Sequence, residues 1–412
     1  MALNYIWIGF FLIAFVIALI KLIFLGDTEI FKVLIEGIFD SSKSSVMDIA
    51  LPLVGTMAFW LGIMRVGEKA GAINFLSRIV GPFFERLFPE VPKNHPAAGQ
   101  MMMNFSANLL GLDNAATPFG LKAMAGLQEL NPQKETASNA QILFMVLHAS
   151  GLTILPISII AQRAILGSHD PTDIFIPCII ATYVATLVGL LVVAIKQKIN
   201  LFDKVVLGWL FSLTAFIGLL VWYFAVYLSK EQIGNVSKVA SNLILFAIPV
   251  LFVLGGVRKN VNVFEAFIEG AIGGFETSVK IIPYLVAMLV GVSVFRNCGA
   301  LIYLTDGFKW VFSHFNMDTR FTEVLPIAFL RPLSASGARG LMLDNMKVFG
   351  PDSFVGHLSS ILYGAADTTF YMVALYFGSV GVKRTRYVIP ASLIADLAGV
   401  IAAIFVAYLF FG

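Results

Sequence analysis

Two long runs of this chain contain no charged residue, and they limit it to a few kinds of fold. One covers residues 174–195 and the other residues 205–229. Each is long enough to cross about 30 Å of hydrocarbon as a helix that rises about 1.5 Å per residue. Lipid offers no partner for backbone N–H and C=O groups, so a spanning segment must be a helix or part of a closed barrel. The runs predict membrane-spanning helices.

Composition extends this prediction to most of the chain. Charged residues make up 13% of the 412 positions, whereas about 25% is usual in a soluble domain. Further candidate spans lie at 5–20, 239–257 and 387–412. We therefore expect an all-α polytopic membrane protein. Lysines and arginines are spread through the loops, so no nucleic-acid partner is expected. The two cysteines lie in apolar surroundings, so no metal site is expected from them either.

The chain also repeats itself. Ile-Glu-Gly, a proline, an apolar run and an arginine recur with the same proline-to-arginine spacing, and a Gly-Ala pair follows each time. The members are Ile35, Pro52, Arg65 and Gly71 in the first copy and Ile268, Pro283, Arg296 and Gly299 in the second. Self-similarity in an apolar chain predicts two homologous halves of a transporter-like protein. We expect Arg65 and Arg296 to extend from helix ends towards the lipid headgroups.

The repeat divides the chain into residues 1–200, a linking transmembrane helix at 201–234, and residues 235–412. Basic residues in short loops tend to stay inside the cell. After the last span of the first half come Lys196, Lys198 and Lys204, and after the first span of the second half come Arg258 and Lys259. Before the last span of the second half come Lys383, Arg384 and Arg386. The last spans of the two halves should therefore run in opposite directions. This predicts two inverted repeats with broken, discontinuous helices.

Residues 104–120 are too polar to face lipid. Thr117 followed by Pro118 is typical of a helix start, with threonine as the N-cap. A half-helix beginning there would direct its free N–H groups and its dipole at a cavity. Asn104, Asn108, Asp113, Asn114 and Thr117 are candidate substrate-binding residues. Alternatively, small residues allow close packing here and the asparagines hydrogen-bond between helices.

The equivalent break in the second half contains Arg331, Ser334 and Ser336. Either serine could cap the helix that follows. An arginine in an apolar stretch needs a partner or water. Arg331 could bind an acidic solute or form a structural ion pair with a carboxylate such as Asp113 or Asp367.

A third break contains Asp367, Thr368 and Thr369. Asp367 or Thr368 could cap a half-helix that runs to about residue 377. The counterpart in the first half is residues 148–156, where His148 is expected to be a hydrogen-bonded packing residue. We expect four half-helix ends to converge near the membrane midplane and to form one site.

Longer motifs resemble the spore maturation proteins A and B of spore-forming bacteria, joined end to end. Residues 1–200 are similar to protein A through residues 59–62, His95-Pro96 and residues 107–124. Residues 235–412 are similar to protein B through residues 282–288, 331–334, 363–371 and 376–383. Both families belong to the nucleoside recognition, or Gate, group. The resemblance implies a role in membrane transport or gating, which in spore formers is linked to dehydration of the spore core.

The sequence thus predicts a secondary transporter or channel-like exporter of a small polar or anionic solute, a nucleoside-like compound included. The alternative is a scaffold protein of the envelope or of spore maturation without transport activity. No nucleotide-binding loop, nucleophile elbow or zinc-protease motif is present, so no enzyme, catalytic residue or cofactor is expected. The expected partners are the solute, the lipid bilayer and, in a homo-oligomer, further copies of the chain. We expect multiple crossings of a bacterial inner membrane.

Overall fold

The structure is a computed structural model that describes residues 2–92, 95–110, 113–227, 230–315, 318–365 and 367–412. Within these ranges the chain is α-helical and has no strand, apart from one isolated bridge between Thr136 and Arg384. The predicted all-α class is confirmed.

Nine helices of the described residues form the first predicted half, and a tenth links it to the second half. They are α1 (Ala2–Leu25), α2 (Ile30–Ser44), α3 (Leu51–Ala70), α4 (Ala72–Leu87), α5 (Pro96–Leu109), α6 (Asp113–Leu130), α7 (Asn139–Ala149), α8 (Ile157–Ile165), α9 (Phe175–Gln197) and α10 (Lys204–Tyr227). A π-helical segment, Ser45–Ala50, joins α2 to α3.

The second half repeats this order. Its helices are α11 (Lys230–Arg258), α12 (Val263–Asn297), α13 (Ala300–Ser313), α14 (Leu325–Leu330), α15 (Ala335–Phe349), α16 (Phe354–Gly364), α17 (Thr369–Ser379) and α18 (Val388–Phe411). A 3₁₀ turn, Arg320–Val324, precedes α14.

Six helical segments of the described residues are long and apolar enough to cross a membrane. They are Trp7–Leu25, Ile30–Ala70, Phe175–Gln197, Lys204–Phe224, Val239–Arg258 and Val388–Phe411. Leu285–Asn297 and Ala300–Ser313 pass the same test as a pair that is bent by 69°. The protein is therefore a multi-pass membrane protein.

The structure corrects one boundary in each half. The sequence suggests a separate amphipathic helix before the Pro52 span and before the Pro283 span, but each pair forms one continuous helix. A proline removes one helical hydrogen bond without always ending the helix. In the first half the π-helical segment lies directly before Pro52, where it takes up the irregularity.

The repeated Gly-Ala pairs mark equivalent bends. Gly71 separates α3 from α4 with a φ of 90°, and Gly299 separates α12 from α13 with a φ of 93°. Residues with a Cβ rarely adopt this left-handed conformation, so glycine suits both positions. Here the repeat in the sequence corresponds to a repeat in the backbone.

The chain forms two compact units, and both take segments from both halves. Unit 1 contains residues 1–62, 158–171 and 268–363, and unit 2 contains residues 63–157, 172–267 and 364–412. Thus α8 of the first half belongs with α13–α16 of the second. In the same way α17 of the second half belongs with α4–α7 of the first.

Within unit 2, the last helices of the two halves pack closely through small residues. A Cβ placed on Gly189 of α9 would lie 3.1 Å from the Cβ of Ala395 on α18, and one on Gly399 would lie 3.1 Å from that of Ala185. Small residues four positions apart allow helix backbones to approach in a membrane. The register is antiparallel, as the loop charges predict.

Candidate functional site

Unit 2 contains a buried polar cluster, here called the histidine cluster: Asn104, Asn108, His148 and Tyr376. Asn104 and Asn108 are one turn apart on α5, so they share a helix face. The Nδ1 atom of His148 lies 2.8 Å from Nδ2 of Asn108 and 3.1 Å from Oδ1 of Asn104. Asn104 also donates to the carbonyl of Ala116, at 2.6 Å, and this fixes its amide. The His148 ring is therefore buried among apolar helices, and its Nδ1 atom lies within hydrogen-bonding distance of both asparagines.

Tyr376 of α17 closes the other side of the cluster. Its hydroxyl lies 3.4 Å from Nε2 of His148 and hydrogen-bonds with Asn104 and Thr117. Gly120 of α6 leaves the room for it, because a Cβ there would overlap the tyrosine hydroxyl. One half supplies the histidine and asparagines, and the other supplies the tyrosine.

The cluster lies beside the interruptions between half-helices. The backbone N–H of Asp367 donates to the carbonyl of Ala149 at the end of α7, at 3.1 Å. Asp367 in turn accepts hydrogen bonds from the backbone N–H and the hydroxyl of Thr368, at 2.7 and 3.2 Å. Thr369 donates to Oδ2 of Asp396 on α18, at 2.8 Å. A backbone N–H thus satisfies a carbonyl at the end of α7 that has no partner within its helix, and polar side chains bond to one another beside the break.

Unit 1 contains a second cluster, here called the arginine cluster: Arg331, Arg339 and Tyr363. Nε of Arg331 donates to the Tyr363 carbonyl at 2.9 Å, and its guanidinium lies 4.3 Å from the centre of the Tyr363 ring. Nε of Arg339 donates to the Tyr363 hydroxyl at 3.2 Å. Beside them Ser334 caps α15 by accepting from the N–H of Gly337, at 3.0 Å. This cluster contains two guanidinium groups, whereas the histidine cluster contains amide, imidazole and phenol groups.

Comparison with known proteins identifies the family. A family described as nucleoside recognition (Gate) matches residues 50–166. Spore maturation protein B of Bacillus subtilis (strain 168) is 43% identical over 173 residues, which are 41% of this chain and 96% of that protein. Spore maturation protein A of the same organism is 36% identical over 182 residues, which are 44% of this chain and 89% of that protein.

This chain belongs to the spore maturation protein family. Each of these relatives matches less than half of the chain, although nearly all of the relative is covered, so the chain has the length of two family members. No solved structure matches it.

The predicted site residues of this family member divide between the units. Asn104, Asn108, Thr117, Asp367, Thr368 and Thr369 lie in unit 2, and Arg331, Ser334 and Ser336 lie in unit 1. The side chains of Asp113 and Asn114 lie outside the described residues. The structure joins Asn104 and Asn108 to His148, and His148 to Tyr376. A single site made from both groups remains a prediction.

Three predictions about individual residues need correction. Thr117 and Pro118 do not begin a helix, because α6 starts at Asp113 and Pro118 is accommodated in its second turn. Thr368 precedes α17 but makes no side-chain cap. Arg296 does not extend to the headgroups, because it forms a largely buried ion pair with Asp344 at 2.5 Å. A nearby carboxylate satisfies that guanidinium more directly than the membrane surface would.

Sequence reasoning did not select Tyr376, Tyr363, Arg163 or Asp396. The two tyrosines lie in the motifs shared with protein B, but aromatic residues are common in apolar helices and carry no positional signal. Arg163 and Asp396 are single charges within apolar segments, and that alone marks a residue for attention.

Proposed function

We propose that this protein is a secondary transporter or channel-like exporter of a small polar or anionic solute, nucleoside-like compounds included. The observation that carries the proposal is the histidine cluster. Burying polar groups in an apolar protein is costly unless they are hydrogen-bonded, and in a membrane such groups usually mark a pathway or a binding site.

The chemistry of the two clusters supports this solute class. Amide, imidazole and phenol groups donate and accept hydrogen bonds, as a neutral polar solute requires. Arg331 and Arg339 would favour an anionic group. The description of the matching family, nucleoside recognition, agrees with a solute rich in hydrogen-bond donors and acceptors. The proposal involves no bond-making step and places the protein in a bacterial inner membrane.

The test is solute flux in proteoliposomes, with radiolabelled nucleosides, nucleotides, amino acids and dicarboxylates. Tyr376→Phe and Asn108→Ala should each reduce flux about five- to thirtyfold, since one hydrogen bond in a desolvated site is worth about 1–2 kcal/mol and each step of about 1.4 kcal/mol is a factor of ten. Tyr183→Phe is the matched control, because that hydroxyl bonds to Thr214 between α9 and α10. It should leave flux unchanged.

A scaffold function is the second candidate, and one observation favours it. The side chains of the histidine cluster bond to one another and to backbone, as in a network that only holds helices together. If no solute of the four classes moves through well-folded wild-type protein, and Tyr376→Phe lowers only the thermal midpoint, the scaffold function is the better account.

A further inference from the structure

Each compact unit consists mainly of one half of the chain and also contains two kinds of helix from the other half. Unit 1 is built around helices of the second half, and unit 2 around helices of the first. The first kind is the opening helix of a half. In unit 1, α1 packs against α12, where the indole N–H of Trp7 donates to the Ala287 carbonyl at 2.9 Å. In unit 2, α11 packs against α3, where a Cβ on Gly255 would lie 3.3 Å from that of Ala70. The exchange is therefore reciprocal.

At each glycine bend, a lysine from the other half of the chain lies against the glycine. The Lys21 ammonium of the first half lies against Gly299 of the second, and the Lys259 ammonium of the second half lies against Gly71 of the first. The orphan carbonyls at a helix end favour a nearby cation. Both bends are thus completed by the opposite half.

The second borrowed element is the half-helix after the break. α17 packs against α6 and α7 in unit 2, and Tyr376 brings its hydroxyl to His148. α8 brings Arg163, which is fully buried, into unit 1. Its guanidinium donates to the Pro351 carbonyl at 2.7 Å and pairs with Asp352 at 3.1 Å.

The segments that follow these half-helices also bond across the halves. In unit 1, the Ser168 hydroxyl and the His169 N–H donate to Asp352, at 2.5 and 2.8 Å. In unit 2, Lys383 pairs with Glu135 at 2.6 Å, and the Ala137 N–H donates to the Arg384 carbonyl at 2.9 Å. We call these contacts the first clasp, around Asp352, and the second clasp, around Glu135.

From these contacts we propose that the two halves are obligate partners, each completing the fold of the other, so that the covalent link between them is dispensable. A half on its own would expose the surface that the borrowed helices cover, and the first half would carry the buried Arg163 charge unpaired. The half-size relatives fit this view, since each corresponds to one partner. The proposal does not depend on transport activity.

The direct test inserts a protease site into the 198–203 connection of the full chain. After purification in mild detergent and cleavage, the two fragments should co-elute in a 1:1 ratio and keep a single thermal transition. If they separate and each keeps its own cooperative transition, the proposal is wrong.

A matched pair of variants separates assembly from general stability. Asp352→Asn breaks an ion pair between halves, whereas Asp344→Asn breaks a similarly enclosed pair, with Arg296, inside one half. Asp352→Asn should release the first fragment about tenfold faster after cleavage, because Arg163 then stays buried without its counter-charge. Asp344→Asn should lower the thermal midpoint without changing release. Faster release by Asp344→Asn alone would contradict the proposal.

A disulfide tests the exchange itself. Thr136 and Arg384 form a parallel bridge between the halves, and neighbouring strands lie about 4.8 Å apart, a spacing that suits a disulfide. The double variant Thr136→Cys/Arg384→Cys should hold the cleaved fragments together on a non-reducing gel, and either single variant should not. Fragments that run separately in the oxidised double variant would overturn the exchange.

Discussion

At the scale of single residues, Arg163 is a buried charge that needs specific partners. Its guanidinium is completely buried, yet it is matched by a carboxylate, a carbonyl and a hydroxyl. A buried charge is tolerated only with such partners, and removing one of them leaves an uncompensated ion. Asp352, in the loop between α15 and α16, is therefore the residue on which this part of unit 1 depends.

The ionisation of Asp352 predicts an acid-sensitive contact. Burial raises the pKa of its carboxyl. The His169 N–H, the Ser168 hydroxyl and Arg163 together lower that pKa by more than burial raises it, so the pKa lies below its ordinary value. A depressed pKa adds stability that is complete above the ordinary value, about 3.9, and is lost as the pH falls through the folded-state value. The thermal midpoint of wild type should exceed that of Asp352→Asn at about pH 6, and the gap should narrow as the pH falls below about 4.

The control for this titration is Asp318→Asn. Asp318 pairs with Arg320 at an exposed site, where ion pairs contribute little. Its midpoint should follow that of wild type at every pH. A gap between wild type and Asp352→Asn that persists unchanged at pH 3 would contradict the assignment.

At the scale of helices, close approach decides which pairs form. α9 and α18 pack where Gly189 and Gly399 face Ala395 and Ala185, with no room for a larger side chain. Apolar side chains gain nothing by leaving lipid for another helix, so packing and hydrogen bonds must supply the association. Small residues are therefore the determinant of this contact.

Gly189→Leu should lower the free energy of unfolding by about 1–3 kcal/mol, because the larger side chain would overlap Ala395 and Val146. Gly208→Leu on α10 is the matched control, since a Cβ there meets no atom within 4 Å. Thermal unfolding in detergent measures both. Equal midpoints for the two variants would show that the contact is looser than described.

At the scale of the whole molecule, the two halves have the same order of helices, and each compact unit contains helices from both halves. The sequence order repeats from α1–α9 to α11–α18, but neither compact unit coincides with a half. In unit 2, Gln197 at the end of α9 donates to the Asn139 carbonyl and Arg386 before α18 donates to the Asn139 side chain, at 2.8 and 3.0 Å. The end of one last helix therefore meets the beginning of the other.

Membrane topology can be checked at this junction. Lys198→Cys and Lys383→Cys should react with an impermeant thiol reagent from the same side, the cytoplasmic one, because their helices run antiparallel and basic loops stay inside. His169→Cys, before α9, should react from the opposite side. The two native cysteines are buried and should contribute little background. Labelling of Lys198→Cys and Lys383→Cys from opposite sides would contradict this topology.

Much of this arrangement could be predicted from local signals. Ser334 caps α15, and the breaks near residues 150 and 367 lie where polar residues interrupt apolar runs. Pro52, Pro283 and Thr117-Pro118 misled the prediction, because a proline within a long apolar helix costs one hydrogen bond that neighbouring structure can offset. Helix boundaries at these prolines depend on packing that no local pattern records.

The sequence by itself determined the class of the protein, its two-fold repeat, the helix breaks near residues 150 and 367, and the opposite directions of its last spans. Those features follow from the cost of charges and unpaired backbone groups in lipid, which acts on each segment separately. Only the tertiary structure decided that Tyr376 meets His148, that Asp352 neutralises Arg163 and that each half completes the other. Such pairings join residues more than 180 positions apart, and they depend on which helix surfaces fit together.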